Sequence, residues 1–274
     1  MYNKSLVDQL KVSASQPSEH LRKITNSDFG LSDKKLNKVV KDQQKEIGRY
    51  QERLYAEHKQ SLLVVFQAMD AAGKDSSIRE LNKRCNAQGV RVAKFTKPSV
   101  EELNHDYLWR IHKQTPAVGE VVIFNRSHYE DVLIVKVHGW ASPSTIEERY
   151  TQINNFESLI ASRGTTVIKF MLNISPDYQL TRFKSRLENP KKNWKFNPGD
   201  LDERKLWKQY MEAYDNALNN CSTMQAPWFV IPSENRIARD YAINSVVLDA
   251  FQSMAPQYPE PDFDSAKYTV DSIS

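Results

Sequence analysis

The sequence predicts an α/β fold: a five-stranded parallel sheet covered by helices on both faces. Three observations predict it. Short, continuous apolar runs such as Ser61–Gln67 (SLLVVFQ) and Val121–Phe124 (VVIF) read as strands buried on both sides. Strand-like and helix-like stretches alternate five times, which is the pattern of parallel strands joined by helical crossovers. The chain has 274 residues, 40% hydrophobic and 10% aromatic, enough for one large core. Right-handed crossovers then bring the functional loops to the carboxyl ends of the strands.

The elements follow in order. Residues 1–31 are polar and Ser-rich without sustained period, and read as an extended N-terminal arm. Leu36, Val39, Val40, Ile47, Tyr50 and Leu54 keep helical spacing, so Lys34–His58 is expected to be an amphipathic helix. Ser61–Gln67 is the first strand, Ser76–Gln88 a helix, Val90–Phe95 a strand and Glu101–Lys113 a helix. After the strand Val121–Phe124, helices are expected over Tyr129–His138 and Thr145–Arg163. Thr166–Ile174 is a strand and Asp177–Leu187 a helix. Leu201–Asn220 is a long helix, Trp228–Ile231 the last strand and Arg236–Met254 the last helix. From Pro256 the prolines recur without period. The domain is therefore placed at 32–255, with a tail over 256–274.

Composition excludes several classes. Lys+Arg 38 against Asp+Glu 34 leaves +4, too small to indicate nucleic-acid binding. Two distant cysteines, Cys85 and Cys221, form no metal spacing or disulfide framework, which fits a reducing cytoplasm. No apolar run approaches the roughly 20 residues of a membrane span. The N-terminus lacks the apolar core of a signal peptide.

The first strand runs into Gln67-Ala68-Met69-Asp70-Ala71-Ala72-Gly73-Lys74-Asp75-Ser76, and a helix follows. This is a partial match to the phosphate-binding loop G-x-x-x-x-G-K-[ST]. Ala68 stands at the first glycine position and Asp75 at the Ser/Thr position. The physical logic survives both changes. Backbone N–H groups of Ala72, Gly73 and Ser76 at a helix start can cradle phosphate oxygens, and Lys74 adds a point charge. Asp70 and Asp75 are carboxylates placed to hold Mg2+, with Mn2+ as a substitute. The competing reading is an ordinary strand-to-helix turn with a surface lysine. At the end of the strand Val121–Phe124, Asn125 and Arg126 stand where an acceptor phosphate could be gripped, and Glu130 follows as a further metal carboxylate. Asp131 reads as an acid in the first turn of a helix, and His128 as structural or substrate-lining.

Arg182 to Lys195 holds six basic residues and one acid, a net +5 against +4 for the whole chain. The remainder therefore nets −1, and the segment is a local positive field. Breaks at Asn189-Pro190 and Asn197-Pro198-Gly199 suggest a basic helical lid over about 182–204. In Glu101–Lys113, Asp106 and Arg110 lie at i,i+4 and could pair across one helix face. Trp207, Tyr210 and Tyr214 have helical spacing suited to packing.

The turn Met69–Asp75, the segment Asn125–Asp131 and the stretch Arg182–Pro232 together resemble the polyphosphate kinase 2 family, over roughly Leu36 to Met254. The resemblance implies a P-loop kinase fold and phosphoryl transfer between inorganic polyphosphate and a nucleotide, AMP, ADP or ATP, with Mg2+. It also implies polyphosphate contacts at Arg182, Arg186 and Lys192, nucleotide contacts at Asp106, Arg110, Asn125 and Arg126, and a homo-oligomer, dimer or tetramer. The family usually has Gly where Ala68 stands, and its Lys-Ala-Pro-Thr loop appears here as Thr96-Lys97-Pro98-Ser99 with the lysine moved one place. In the family, Glu after an Arg-Ser-x-Tyr segment accompanies use of both AMP and ADP; here Glu130 follows Arg126-Ser127-His128-Tyr129. The alternatives are an ATP-dependent nucleoside monophosphate kinase, which needs a base niche for ATP, and a non-catalytic nucleic-acid binder. The latter needs aromatics among the lid charges, where only Phe183, Trp194 and Phe196 qualify.

Overall fold

A computed structural model describes residues 3–12, 25–263, 267–268 and 270–273. Strands β1 (Ser61–Ala68), β2 (Val90–Lys94), β3 (Val121–Asn125), β4 (Thr165–Asn173) and β5 (Trp228–Pro232) form one all-parallel sheet in the order β2-β3-β1-β4-β5. Every residue of β1 is buried, as its continuous apolar run requires. Successive side chains of β1 alternate between two cores. Leu62, Val64 and Phe66 face one, shared with helices α2 (Asp33–Glu57) and α11 (Arg236–Met254). Leu63 and Val65 face the other, shared with α7 (Pro143–Ser162) and α10 (Trp207–Cys221).

The long α2 buries Leu36, Val40, Ile47 and Leu54, and lays them against α11. The final helix agrees with its expected bounds and ends in a left-handed cap at Ala255, φ 47°.

Elsewhere the structure departs from the sequence reading. The arm is not wholly extended: Lys4–Leu10 is a helix, α1, capped by Asn3 Oδ1, which accepts from Leu6 N at 3.2 Å. Its Leu6, Val7 and Leu10 are buried in the first core. At seven residues it is too short to display a sustained period. Beyond it, Val12 N donates to Trp228 O at 2.9 Å, so this part of the arm covers the free edge of β5. Residues 13–24 of the arm lie outside the described residues.

Four expected helices are shorter or split. The helix after β1, α3, spans Lys74–Leu81 only. Glu101–Lys113 divides into α4 (Val100–Leu103) and α5 (Trp109–His112). Between them the Asp106 side chain accepts from Leu108 N at 2.9 Å, a local bond that competes with helix continuation. The expected Asp106–Arg110 pair does not form; Arg110 meets Glu102 at 3.5 Å instead. Tyr129–His138 becomes a 3-10 turn, His128–Val132, and the short α6, Ile134–Val137. Leu201–Asn220 breaks at Leu206, between α9 (Gly199–Lys205) and α10. The helix after β4, α8 (Pro176–Glu188), leads into the 3-10 turn Pro190–Lys195 and then α9, and these elements contain the segment expected at about 182–204 as a basic lid. No helix among the described residues is long and apolar enough to cross a membrane.

Candidate active site

The carboxyl ends of β1 and β3 are neighbours in the sheet, and Arg126 N donates to Phe66 O at 3.1 Å to hold them together. Ligands of open α/β sheets bind in this kind of crevice. The turn after β1 places its strain at Ala71, φ 68°, and Gly73, φ 104°. Gly73 is required twice over. Its φ disfavours any side chain, and a Cβ there would stand 2.4 Å from Arg239 Nη1. Ala68, by contrast, is the last residue of β1, pairs with Leu172 and has no positive φ. Alanine at the position where the family usually has glycine therefore imposes no left-handed backbone.

Lys74 opens α3 and donates from Nζ to Ala68 O at 2.6 Å. Desolvation pulls its pKa below the ordinary lysine value, against the attraction of Asp70, Glu130 and Asp75, while Arg126 adds to the lowering. Arg126, itself at φ 64°, donates to Asp70 Oδ1 at 3.2 Å. Asn125 Nδ2 donates to Asp75 Oδ1 at 2.8 Å, and Ser76 Oγ to Gly73 O at 2.8 Å.

These groups line a cavity of about 540 Å³. Asp70, Ala72, Gly73, Lys74, Asp75, Ser76, Asn125, Arg126, Arg182, Arg186 and Lys192, all expected from the sequence, converge on it. Eleven lysines and arginines line it against two aspartates, Asp70 and Asp75. Six of these cations were not assigned from the sequence: Arg79, Lys94, Lys97, Lys195, Arg236 and Arg239. Lys97 and Lys195 were visible as basic residues near the motifs. Arg236 and Arg239 come from the start of α11, some 160 residues after the phosphate turn, and their only local signal is two arginines in one helical turn after a buried strand. Burial and the nearby Arg236, with smaller contributions from Arg186 and Arg239, lower the pKa of Arg182.

A second, smaller cavity of about 240 Å³ adjoins the first. Asp70 and Arg126 belong to both. Its walls are Met69, Leu133, Ile134, Tyr210 and Tyr214, with Glu130, Asp200 and Glu203 as acids. Tyr210 and Tyr214 thus face a cavity as well as the core. Tyr210 donates to Glu203 at 2.6 Å, and Arg186 meets Asp200 at 3.2 Å. Gln179 Nε2 donates to Asp70 O at 3.0 Å, and Arg204 Nη1 to Gln179 Oε1 at 3.1 Å. The lid is thereby tied to the backbone of the phosphate turn. Asp106 is exposed and Arg110 is 8% exposed, donating to Thr96 O at 2.9 Å; neither lines these cavities.

Among the described residues no three His, Cys, Asp or Glu side chains gather to hold a metal ion unaided. Asp75 is engaged by Asn125. Asp70 and Glu130 share the smaller cavity, and a Mg2+ bound with phosphates typically takes one or two carboxylates, the remaining positions going to phosphate oxygens and water. The donor set fits a metal that arrives with its substrate.

A parallel sheet with a lysine-bearing phosphate turn at its crevice and a cation-lined cavity there defines a P-loop phosphotransferase. The family model described as Polyphosphate kinase 2 (PPK2) matches residues 30–259. An AMP/ADP-polyphosphate phosphotransferase of Meiothermus ruber is 47% identical over 223 residues, 81% of this chain and 84% of that one. An ADP-polyphosphate phosphotransferase of Rhodopseudomonas palustris is 38% identical over 244 residues, 85% and 84% of the two chains. The crystal structure of Polyphosphate Kinase 2 from Arthrobacter aurescens superposes with a TM-score of 0.93 at 40% identity, covering 97% of this chain and 95% of that one. The chain belongs to the polyphosphate kinase 2 family.

Proposed function

We propose that this chain transfers a terminal phosphoryl group from inorganic polyphosphate to AMP and to ADP. The observation that carries the reading is the pair of adjoining cavities with Asp70 and Arg126 in common. The larger is walled by cations and suits a linear polyanion with no base to recognise. The smaller has two tyrosines and aliphatic side chains, and suits a nucleoside. Two phosphorylated substrates entering from opposite sides would meet at Asp70 and Arg126.

In this mechanism the N–H groups of the turn and Lys74 hold the donor's terminal phosphates. Lysines supply undirected charge and arginines clamp oxygens in pairs, so Arg182, Arg186 and Lys192, with Arg236 and Arg239, hold the rest of the polymer. Arg126 donates to oxygens on which charge spreads as the phosphoryl group moves. Asp70 and Glu130 would hold Mg2+, which when bound supplies charge neutralisation between donor and acceptor. Positioning and electrostatics do most of the work in phosphoryl transfer, and no covalent enzyme intermediate is invoked. Use of AMP as well as ADP is supported by Glu130 and by the name of the Meiothermus relative. We extend the proposal to a homo-oligomer, on the family resemblance, and to the cytoplasm, on the two distant cysteines, which fit a reducing compartment.

Purified chain given polyphosphate, Mg2+ and AMP, with no ATP, is expected to form ADP and then ATP. Activity with ADP alone would overturn the AMP assignment. Activity only when ATP is the donor would overturn the polyphosphate assignment.

A further inference from the structure

Beneath the segment that carries Arg126 and Glu130 lies a fully buried polar cluster that touches neither cavity. Lys169 of β4 is 0% exposed. Its Nζ donates to Tyr129 Oη at 2.7 Å, to Cys221 O at 2.7 Å and to Glu157 Oε2 at 2.5 Å, so its three protons have three acceptors. Glu157, on α7, accepts on its other oxygen from Tyr129 Oη at 2.9 Å and meets His128 Nε2 at 3.2 Å. Burial lowers the pKa of His128, against the hydrogen bond and charge of Glu157. Above this, Gln67 Nε2 donates to Ser127 Oγ at 3.2 Å.

The connectivity is specific. His128 and Tyr129 are pinned from below, while their flanking residues Arg126 and Glu130 face the cavities. Cys221 O ends the helix whose Tyr210 and Tyr214 wall the smaller cavity. One lysine therefore joins the sheet to both elements that shape the smaller cavity. A buried ion pair is weak evidence for stability, because apolar residues of similar volume often do as well. A role in fixing geometry accounts for it better.

We propose that Lys169, Glu157 and Tyr129 are positioning residues that set Arg126 and Glu130 for the nucleotide acceptor, and so govern turnover without governing polyphosphate capture. This rests on the phosphotransfer reading above. The left-handed Arg126, φ 64°, explains why a restraint is needed: an unrestrained arginine would relax toward negative φ and carry its guanidinium away from Asp70.

The test is Tyr129→Phe, which keeps the ring packed against Trp228 and removes only the hydroxyl shared by Lys169 and Glu157. Small displacements at a reacting centre can cost up to about 10²-fold in rate, so a fall in kcat on the order of 10-fold is expected, with the KM for polyphosphate held within about 2-fold. A wild-type kcat, or a polyphosphate KM that rises as kcat falls, would overturn the proposal. The double variant Glu157→Leu with Lys169→Met replaces the pair by apolar residues and is expected to show the same split, with a lower Tm because Tyr129 Oη, Cys221 O and His128 Nε2 lose their partners. If the double variant does not fold, Tyr129→Phe decides alone. A crystal structure of Tyr129→Phe supplies a readout independent of activity. Displacement of Arg126 or Glu130 by about 1 Å or more supports the proposal, and a superposable segment overturns it. A wild-type enzyme inactive with polyphosphate would refute the phosphotransfer reading instead, leaving that structural comparison to judge the positioning role.

Discussion

The two cavities that share Asp70 and Arg126 offer different physics for recognition. The larger is lined by eleven cations and two carboxylates. It needs no particular shape, because a chain of phosphates offers the same charge at every step. The smaller is less than half that volume, and its tyrosines and aliphatic residues set a contour. Four acids, Asp70, Glu130, Asp200 and Glu203, line it with a single cation, Arg126, whereas lysines and arginines dominate the larger cavity. Charge recognition tolerates imprecision and is spread over many residues. Shape recognition is confined to a few residues and depends on what holds them.

That contrast orders the expected effects of mutation. Lys74→Ala strikes the phosphate turn of the larger cavity, next to the shared Asp70 and Arg126. Loss of a preorganised charge partner of a transferring group costs about 10²–10³-fold, and the loss should be equal for AMP and ADP, read in single-turnover assays with the fold checked by circular dichroism. A folded variant with near-normal turnover would remove the phosphate turn from the site.

The larger cavity should respond next. Replacing Arg182, Arg186 and Lys192 together by Gln should raise the KM for polyphosphate roughly 10-fold or more, with the nucleotide KM within about 2-fold. Added salt should act the same way on the wild type, since exposed charges are screened over about 8–10 Å near physiological ionic strength. Equal changes in both KM values would erase the distinction between the cavities.

Glu130→Asn should have a smaller and more selective effect. The carboxylate lines the cavity assigned to the acceptor, so AMP use should fall by about 10-fold and ADP use by less, measured as kcat/KM for each nucleotide with polyphosphate in excess. Equal losses would mean that Glu130 has no part in choosing between acceptors.

The same contrast explains what could be read in the sequence. β1 and β3 were legible because strands buried on both faces need unbroken apolar runs, and Arg236–Met254 because it is a long, largely buried stretch with no proline or glycine to interrupt it. The phosphate turn and the lid charges were legible because their residues are contiguous. The breaks at Asp106 and Leu206 were not, since a side chain bonding a nearby N–H, or a bend imposed by packing, leaves the helical period intact on both sides. The smaller cavity was hidden for a related reason. Met69, Glu130, Ile134, Asn197 and Tyr210 meet only once the sheet is assembled, and no single local pattern contains them together. The resemblance implies acceptor contacts at Asp106 and Arg110; in the structure Arg110 meets Thr96 and Glu102, and neither residue lines the two cavities.

The division between a charge-lined donor side and a contoured acceptor side is tested most directly by filling the smaller cavity. Ile134 sits on its wall, partly buried, outside the phosphate turn and the lid. Ile134→Trp adds bulk into about 240 Å³ of space without changing charge. Steady-state KM values of this variant, measured for AMP and for polyphosphate in turn, are expected to show AMP raised about 10-fold or more and polyphosphate unchanged within about 2-fold, since a nucleoside excluded by sterics loses contacts worth several methylenes. An unchanged KM for AMP, or a parallel rise in the KM for polyphosphate, would contradict the assignment of the two cavities.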